Sequence, residues 1–139
     1  MKGIASGAIQ FLGYKISHIE FDCLPDAKLE GGEYRFSLAE GSSCPADDMA
    51  QVNLSVRVFY HNEDNYDNAP LKTAVLLSGM FKTADGSKWD DQWKANAIAI
   101  MYPYARSLIA SITSQSGRQT INLPTINTTS LLFDSQQQN

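Results

Sequence analysis

The stretch Tyr102–Phe133, YPYARSLIASITSQSGRQTINLPTINTTSLLF, decides how the chain ends and so how it folds. Tyr104, Leu108, Ile109 and Ile112 recur three to four residues apart, the period of a helix with one apolar face. Gly117 is a plausible stop, because glycine accepts the left-handed conformation that often closes a helix. Asn122-Leu123-Pro124 reads as extended, since proline biases the residue before it away from helix. Asn127 is a good N-cap for a short last helix carrying Leu131, Leu132 and Phe133. Upstream, the helical period runs back through Ile100, Ala97, Trp93 and Trp89, which predicts one long amphipathic helix from about Ser87. Pro103 lies inside it. A proline there removes one backbone hydrogen bond and costs ~3 kcal/mol, so the helix is expected to kink or divide at that point.

Before Ser87 the period is two. Val52, Leu54, Val56 and Val58 alternate with Asn53, Ser55, Arg57 and Phe59, which predicts a strand with one core face and one mostly wet face. Tyr34, Phe36 and Leu38 alternate with Arg35 and Ser37. Between Tyr14 and Cys23, Ile19, Phe21 and Cys23 share one face and His18, Glu20 and Asp22 the other. Gly41-Ser42-Ser43-Cys44-Pro45 reads as a loop by composition. His61–Pro70 is too short for a helical crossover, so its flanking strands are expected to form an antiparallel hairpin. Thr73–Phe81 does not alternate: Ala74, Leu76 and Met80 lie on one face, Val75, Leu77 and Phe81 on the other. A strand apolar on both faces is usually covered on both, and here the second cover is expected from another subunit or a bound client. Four strands followed by two helices predict an α+β domain, a four-stranded antiparallel sheet with helices on one side.

The 139 residues suit a single domain over 1–139, with 1–9 and 135–139 as flexible tails. The net charge of −4 and pI of about 5.0 argue against nucleic acid as a partner. The first residues do not read as a signal peptide, and no run approaches the ~20 apolar residues of a membrane span, so no membrane insertion is expected. Cys23 and Cys44 lack CxxC spacing and suit a reduced, cytoplasmic protein. His18 and His61 have no ligand at metal spacing. Glu63, Asp64 and Asp67 lack the spacing of a calcium loop. No nucleotide loop or nucleophile elbow is present. The expectation is a protein without cofactor and without catalysis. A small α+β enzyme of the hot-dog type is the enzymatic alternative; it would place its long helix between the first two strands, whereas here the helix follows all four.

Tyr102-Pro103-Tyr104-Ala105-Arg106, the helix of about four turns after it, and the Leu123-Pro124 to Ile126-Asn127 turn resemble the SecB family of export chaperones. Lys15-Ile16-Ser17-His18-Ile19-Glu20-Phe21-Asp22 is similar to the family's first strand and Gly79-Met80-Phe81 to the end of its fourth. The resemblance covers about residues 10–133. It implies a holdase that binds unfolded or non-native polypeptide without ATP and serves protein export. A client-specific member, such as an antitoxin chaperone, is the alternative. It also implies self-association to a dimer or a homotetramer, with Trp93, Ala97, Tyr104, Leu108 and Ile112 at interface or core positions. The implied client groove takes Leu123, Ile126, Leu131, Leu132 and Phe133, with Leu24 and Leu29 from the crossover after the first strand. Docking of the export motor SecA rests in the family on acidic residues of the outer sheet face. Here Asp22 keeps one such position, while His18, Lys72 and Ala74 depart from the pattern, so SecA binding is expected to be weak or absent.

Overall fold

Strand β1 spans Ile9–Cys23, β2 Glu33–Ala46, β3 Met49–His61 and β4 Leu71–Thr83. A short 3-10 turn, Asp91–Trp93, leads into helix α1, Lys94–Ser114. The structure, a computed structural model, describes residues 9–30, 32–61 and 65–126. The four strands form one antiparallel sheet in the order β1-β4-β3-β2. The two hairpins, β2–β3 and β3–β4, follow from short connections. Because β1 pairs with β4, the crossover between Cys23 and Glu33 must carry the chain from one sheet edge to the other.

Helix α1 lies on one face of the sheet, which becomes the core. Val52, Leu54, Val56 and Val58 are fully buried there, as their alternation predicts. Ala97, Ile98, Met101, Ala105 and Ile109 face them from α1, all fully buried. Gly79 lets the helix come close: a Cβ at this position would lie 2.8 Å from Met101 Sδ. The Lys94 ammonium pairs with Glu40 on β2 at 3.1 Å, tying the start of α1 to the far edge of the sheet.

Two expectations change, and one is narrowed. Residues Gly41–Pro45 are not a loop but the end of β2, with Gly41 opposite Asn53 and Ser43 opposite Gln51. Composition is a local signal, while pairing with β3 is not, and an edge strand tolerates a proline that cannot donate. Trp89 does not begin the helix. It sits in the connection, its ring buried between Phe81 and Trp93 and its backbone N–H donating to the Asp47 carbonyl at 2.7 Å. Pro103 does not divide the helix: α1 is one segment of 21 residues, and Pro103 takes its exposed side. The last helix expected from Asn127, and the tails expected at 1–9 and 135–139, fall on 1–8 and 127–139, outside the described residues, except for Ile9, which opens β1.

β1 departs from simple alternation in a useful way. Its register slips between Phe11 and Tyr14 and again between Ile16 and His18. Gly13, at φ 113°, takes the first slip, a conformation that side-chain-bearing residues rarely adopt. Each slip acts as a bulge that restores the face of the next apolar residue. As a result Ile9, Phe11, Tyr14, Ile16, Ile19, Phe21 and Cys23 all lie opposite helix-facing positions of β4.

Candidate functional site

α1 covers β3 and β4 but reaches only the first part of β1. Tyr104 of α1 packs on Phe11 and Tyr14, with ring centroids 5.9 and 4.7 Å apart. Beyond that contact the helix-side face of β1 is open. Ile16 is 47% exposed, Ile19 46% and Phe21 36%, and Leu24 follows at 57%. Trp93, Leu108 and Ile112 are half-buried and Tyr104 is exposed, so the expected interface stripe of α1 flanks its sheet-facing side. Ala97, expected with them, is fully buried by its own chain and belongs to the core. The open strip of β1 is a contiguous apolar surface of the kind that marks an interaction site. Its outer edge also carries unpaired backbone groups.

A second apolar surface lies at the other edge. After α1 the chain turns at Gly117, φ 80°, and residues 118–126 run back over the sheet as an extended strap. Four contacts fasten it. The Thr113 hydroxyl accepts from the Ile121 N–H at 2.8 Å while donating to the Ile109 carbonyl. The Tyr102 hydroxyl donates to the Pro124 carbonyl at 2.6 Å, and burial pushes its phenol upward. Arg106 donates to the Thr125 hydroxyl at 3.2 Å. Arg118 reaches back to the crossover, donating to the carbonyls of Ala27, Leu24 and Pro25.

Between the strap and β2 lies a groove of about 480 Å³, lined by Tyr34, Phe36, Ile121, Leu123 and Pro124 among others. Leu123 is buried and forms part of the lining, and Ile126 is half-buried against the core. Tyr34 stacks edge-on with Tyr60, whose hydroxyl accepts from the Gly32 N–H at 2.8 Å. Burial raises the Tyr34 phenol and the nearby Arg118 charge opposes that rise. β2 is the free edge beside this groove, so its outer backbone groups are open to a further strand.

The outer sheet face is different in kind. Ser17, Ser78, Asn53 and Gln51 hydrogen-bond in series across it at 2.8–3.2 Å. Toward the β3–β4 connection Tyr66 folds over the sheet. Its hydroxyl donates to Glu20 at 2.8 Å, and the Arg57 guanidinium lies 4.2 Å from its ring centre. Burial, then the bond to Glu20, pushes the Tyr66 phenol up to about 12; the same bond holds the Glu20 carboxyl below its usual value. Asp22 sits directly opposite Lys72. Glu20 is thus engaged within the chain, while the Lys72 ammonium donates to the Asp67 carbonyl at 3.1 Å.

The crossover expectations Leu24 and Leu29 lie outside the groove lining, Leu123 and Ile126 lie on the strap, and Arg118 bonds the two segments. Leu131, Leu132 and Phe133 lie outside the described residues. Sequence reading missed Tyr34, Phe36 and the Ile16–Phe21 strip as surface. Their alternation was visible, but which face α1 leaves open is set by the strand order. Arg118 carried no local signal.

No helix among the described residues is long and apolar enough to cross a membrane. No protein-family model matches the chain. It is 32% identical over 94 residues to the protein-export protein SecB of Haemophilus ducreyi, a match covering 66% of this chain and 54% of that one. This chain therefore spans about half the length of that relative. Its fold matches the SecB-like chaperone of Mycobacterium tuberculosis, solved in complex with a peptide from an antitoxin. The TM-score is 0.69 at 12% identity, covering 87% of this chain and 91% of that one.

Proposed function

This chain is a divergent member of the SecB-like family, and from that premise we propose that it is an ATP-independent holdase for non-native polypeptide. The observation that carries the reading is the groove between strap and β2, a channel beside an open strand edge whose lining mixes apolar Phe36, Val58, Ile121 and Leu123 with polar Arg35, Gln119 and Asn122. An extended client adds to such an edge through main-chain hydrogen bonds, which read no side chains, while apolar residues of the client enter the groove. Hydrophobic burial is non-directional, so one surface serves many sequences. Neither contact requires nucleotide, metal or a catalytic group. Leu24 and Leu29 are client-binding residues of the crossover in this reading, and the family resemblance adds Leu131, Leu132 and Phe133. The protein works in the cytoplasm.

A client-specific role, such as guarding an antitoxin, is the second reading. It is favoured by the outer face, where Glu20 is engaged with Tyr66 and the basic Lys72 stands opposite Asp22 in the strand register, a poor match to a SecA-docking surface built on acids. The antitoxin peptide bound by the Mycobacterium tuberculosis chaperone is consistent with it.

The strip on β1 and the flank of α1 serve self-association. Two copies that bring these strips together cover Ile16, Ile19, Phe21 and Tyr104. A dimer of such dimers, a tetramer, adds Trp93, Leu108 and Ile112.

The test is light scattering from a urea-unfolded, reduced protein diluted into buffer without nucleotide. Equimolar chain should delay its aggregation. No delay at any ratio sinks the holdase reading.

A further inference from the structure

Arg118 is the only side chain of the strap that reaches the crossover among the hydrogen bonds of the described residues. Its guanidinium donates to three main-chain carbonyls, Ala27 at 3.2 Å, Pro25 at 3.3 Å and Leu24 at 3.4 Å. Those carbonyls belong to a turn that Ala27 N–H closes on Leu24. The planar fork of a guanidinium suits several acceptors at once, which a lysine ammonium does not match. Gly117 sets the direction from which Arg118 approaches, and the Arg118 charge also bears on Tyr34 in the groove. The sheet and α1 do not depend on these bonds: their register and burial come from β3, β4 and the helix face.

We propose that Arg118 is a positioning residue that locks the crossover to the strap, so that the apolar side chains of the two segments act as one continuous client surface. Leu24 is more than half exposed at one end, and Leu123 and Ile126 lie along the other. With the clamp closed, a client long enough to pass both ends gains from both. Without it, among the backbone hydrogen bonds of the described residues, the turn at Pro25–Ala27 is held only through the Leu24 N–H bond to the Pro70 carbonyl at 2.9 Å, and the far anchor no longer lies at a fixed distance from the near one. This inference rests on the polypeptide-binding reading.

The test uses full-length protein, wild type and Arg118→Met, with two labelled peptides of alternating leucine and serine. One has about six residues and spans ~20 Å when extended; the other has about eighteen and spans ~60 Å. Arg118→Met should weaken the long peptide about tenfold, the equivalent of one preorganised anchor, and leave the short one within about twofold. Equal weakening of both peptides, or of neither, overturns the proposal. Amide hydrogen exchange on the same two proteins decides the clamp without any peptide. Exchange at Ala27, whose N–H closes the clamped turn, should quicken in the variant while Leu24, bonded to the Pro70 carbonyl, and β3, β4 and α1 stay protected, and unchanged exchange at Ala27 overturns the proposal. If the wild type binds neither peptide, the holdase reading fails, while the exchange comparison still rules on Arg118.

Discussion

Replacing Ile19 with aspartate separates assembly from folding. Ile19 is 46% exposed on an edge strand, so in a single chain the change loses the covered half of the side chain, ~1 kcal/mol, which the fold can bear. In an assembly the arithmetic differs. Tyr14, Ile16, Ile19, Phe21 and Tyr104 are each between 36% and 47% exposed. Fully burying a side chain of this size contributes ~1.5–3 kcal/mol, so covering the open part of each contributes ~1 kcal/mol. A two-fold contact counts the five residues twice, on the order of 10 kcal/mol. Association costs an estimated ~4–15 kcal/mol in lost freedom, so the balance is modest and one residue can tip it. Ile19→Asp removes ~2 kcal/mol of that burial over the two copies and leaves two unpaired carboxylates in the contact, each costing several kcal/mol. Sedimentation at micromolar concentration should show an assembled wild type and a variant of 15.3 kDa that still unfolds in one cooperative transition, at a lower thermal midpoint because it lacks the contribution of association. A variant that assembles as well as wild type, or a wild type that is monomeric throughout, refutes the reasoning.

Tyr66 gives a pH test. The fold favours its neutral form, so this stabilisation is complete below the ordinary value of 10.0 and is lost as pH rises through about 12. Glu20 is the mirror case: its contribution is present above the ordinary 4.5 and lost as pH falls through its lowered value. Tyr66→Phe should remove one late-titrating tyrosine from the ultraviolet titration and flatten the alkaline loss of stability; an unchanged profile contradicts the bond to Glu20. Calorimetry against SecA should find weak binding or none, because a lone exposed charge pair contributes only ~0–1 kcal/mol and Asp22 already faces Lys72. Tight, salt-sensitive binding would contradict this. Changing Leu132 and Phe133 together to serine should weaken client binding by ~1–2 kcal/mol for each anchor. Undiminished suppression of aggregation by that variant would assign both residues to packing.

The sheet was legible where one strand faces both core and solvent, as in Val52–Phe59, because burial writes its period directly into the residues. The hairpin across His61–Pro70 was legible from its length. The far end of β2 was not: Gly41–Pro45 has loop chemistry, and only pairing with β3 makes it a strand. Trp89 fits the helical period by spacing yet is held in the connection by Asp47, a contact between distant positions. The strip Ile16–Phe21 was visible as one apolar face, but its exposure depends on β1 lying at an edge that α1 does not reach. Leu24, Leu29, Leu123 and Ile126 came from family resemblance, and the structure brings their two segments together through an arginine whose partners lie more than ninety positions away.

The central claim is that an extended, non-native chain pairs along the free edge of β2 and fills the groove behind it. Amide hydrogen exchange, with and without a saturating unfolded client and in the absence of nucleotide, tests it most directly. The account predicts new protection at alternate amides of β2 between Glu33 and Ser43, together with the strap at Ile121 and Leu123. Protection confined to β1, or a pattern unchanged by a client that demonstrably binds, would contradict it.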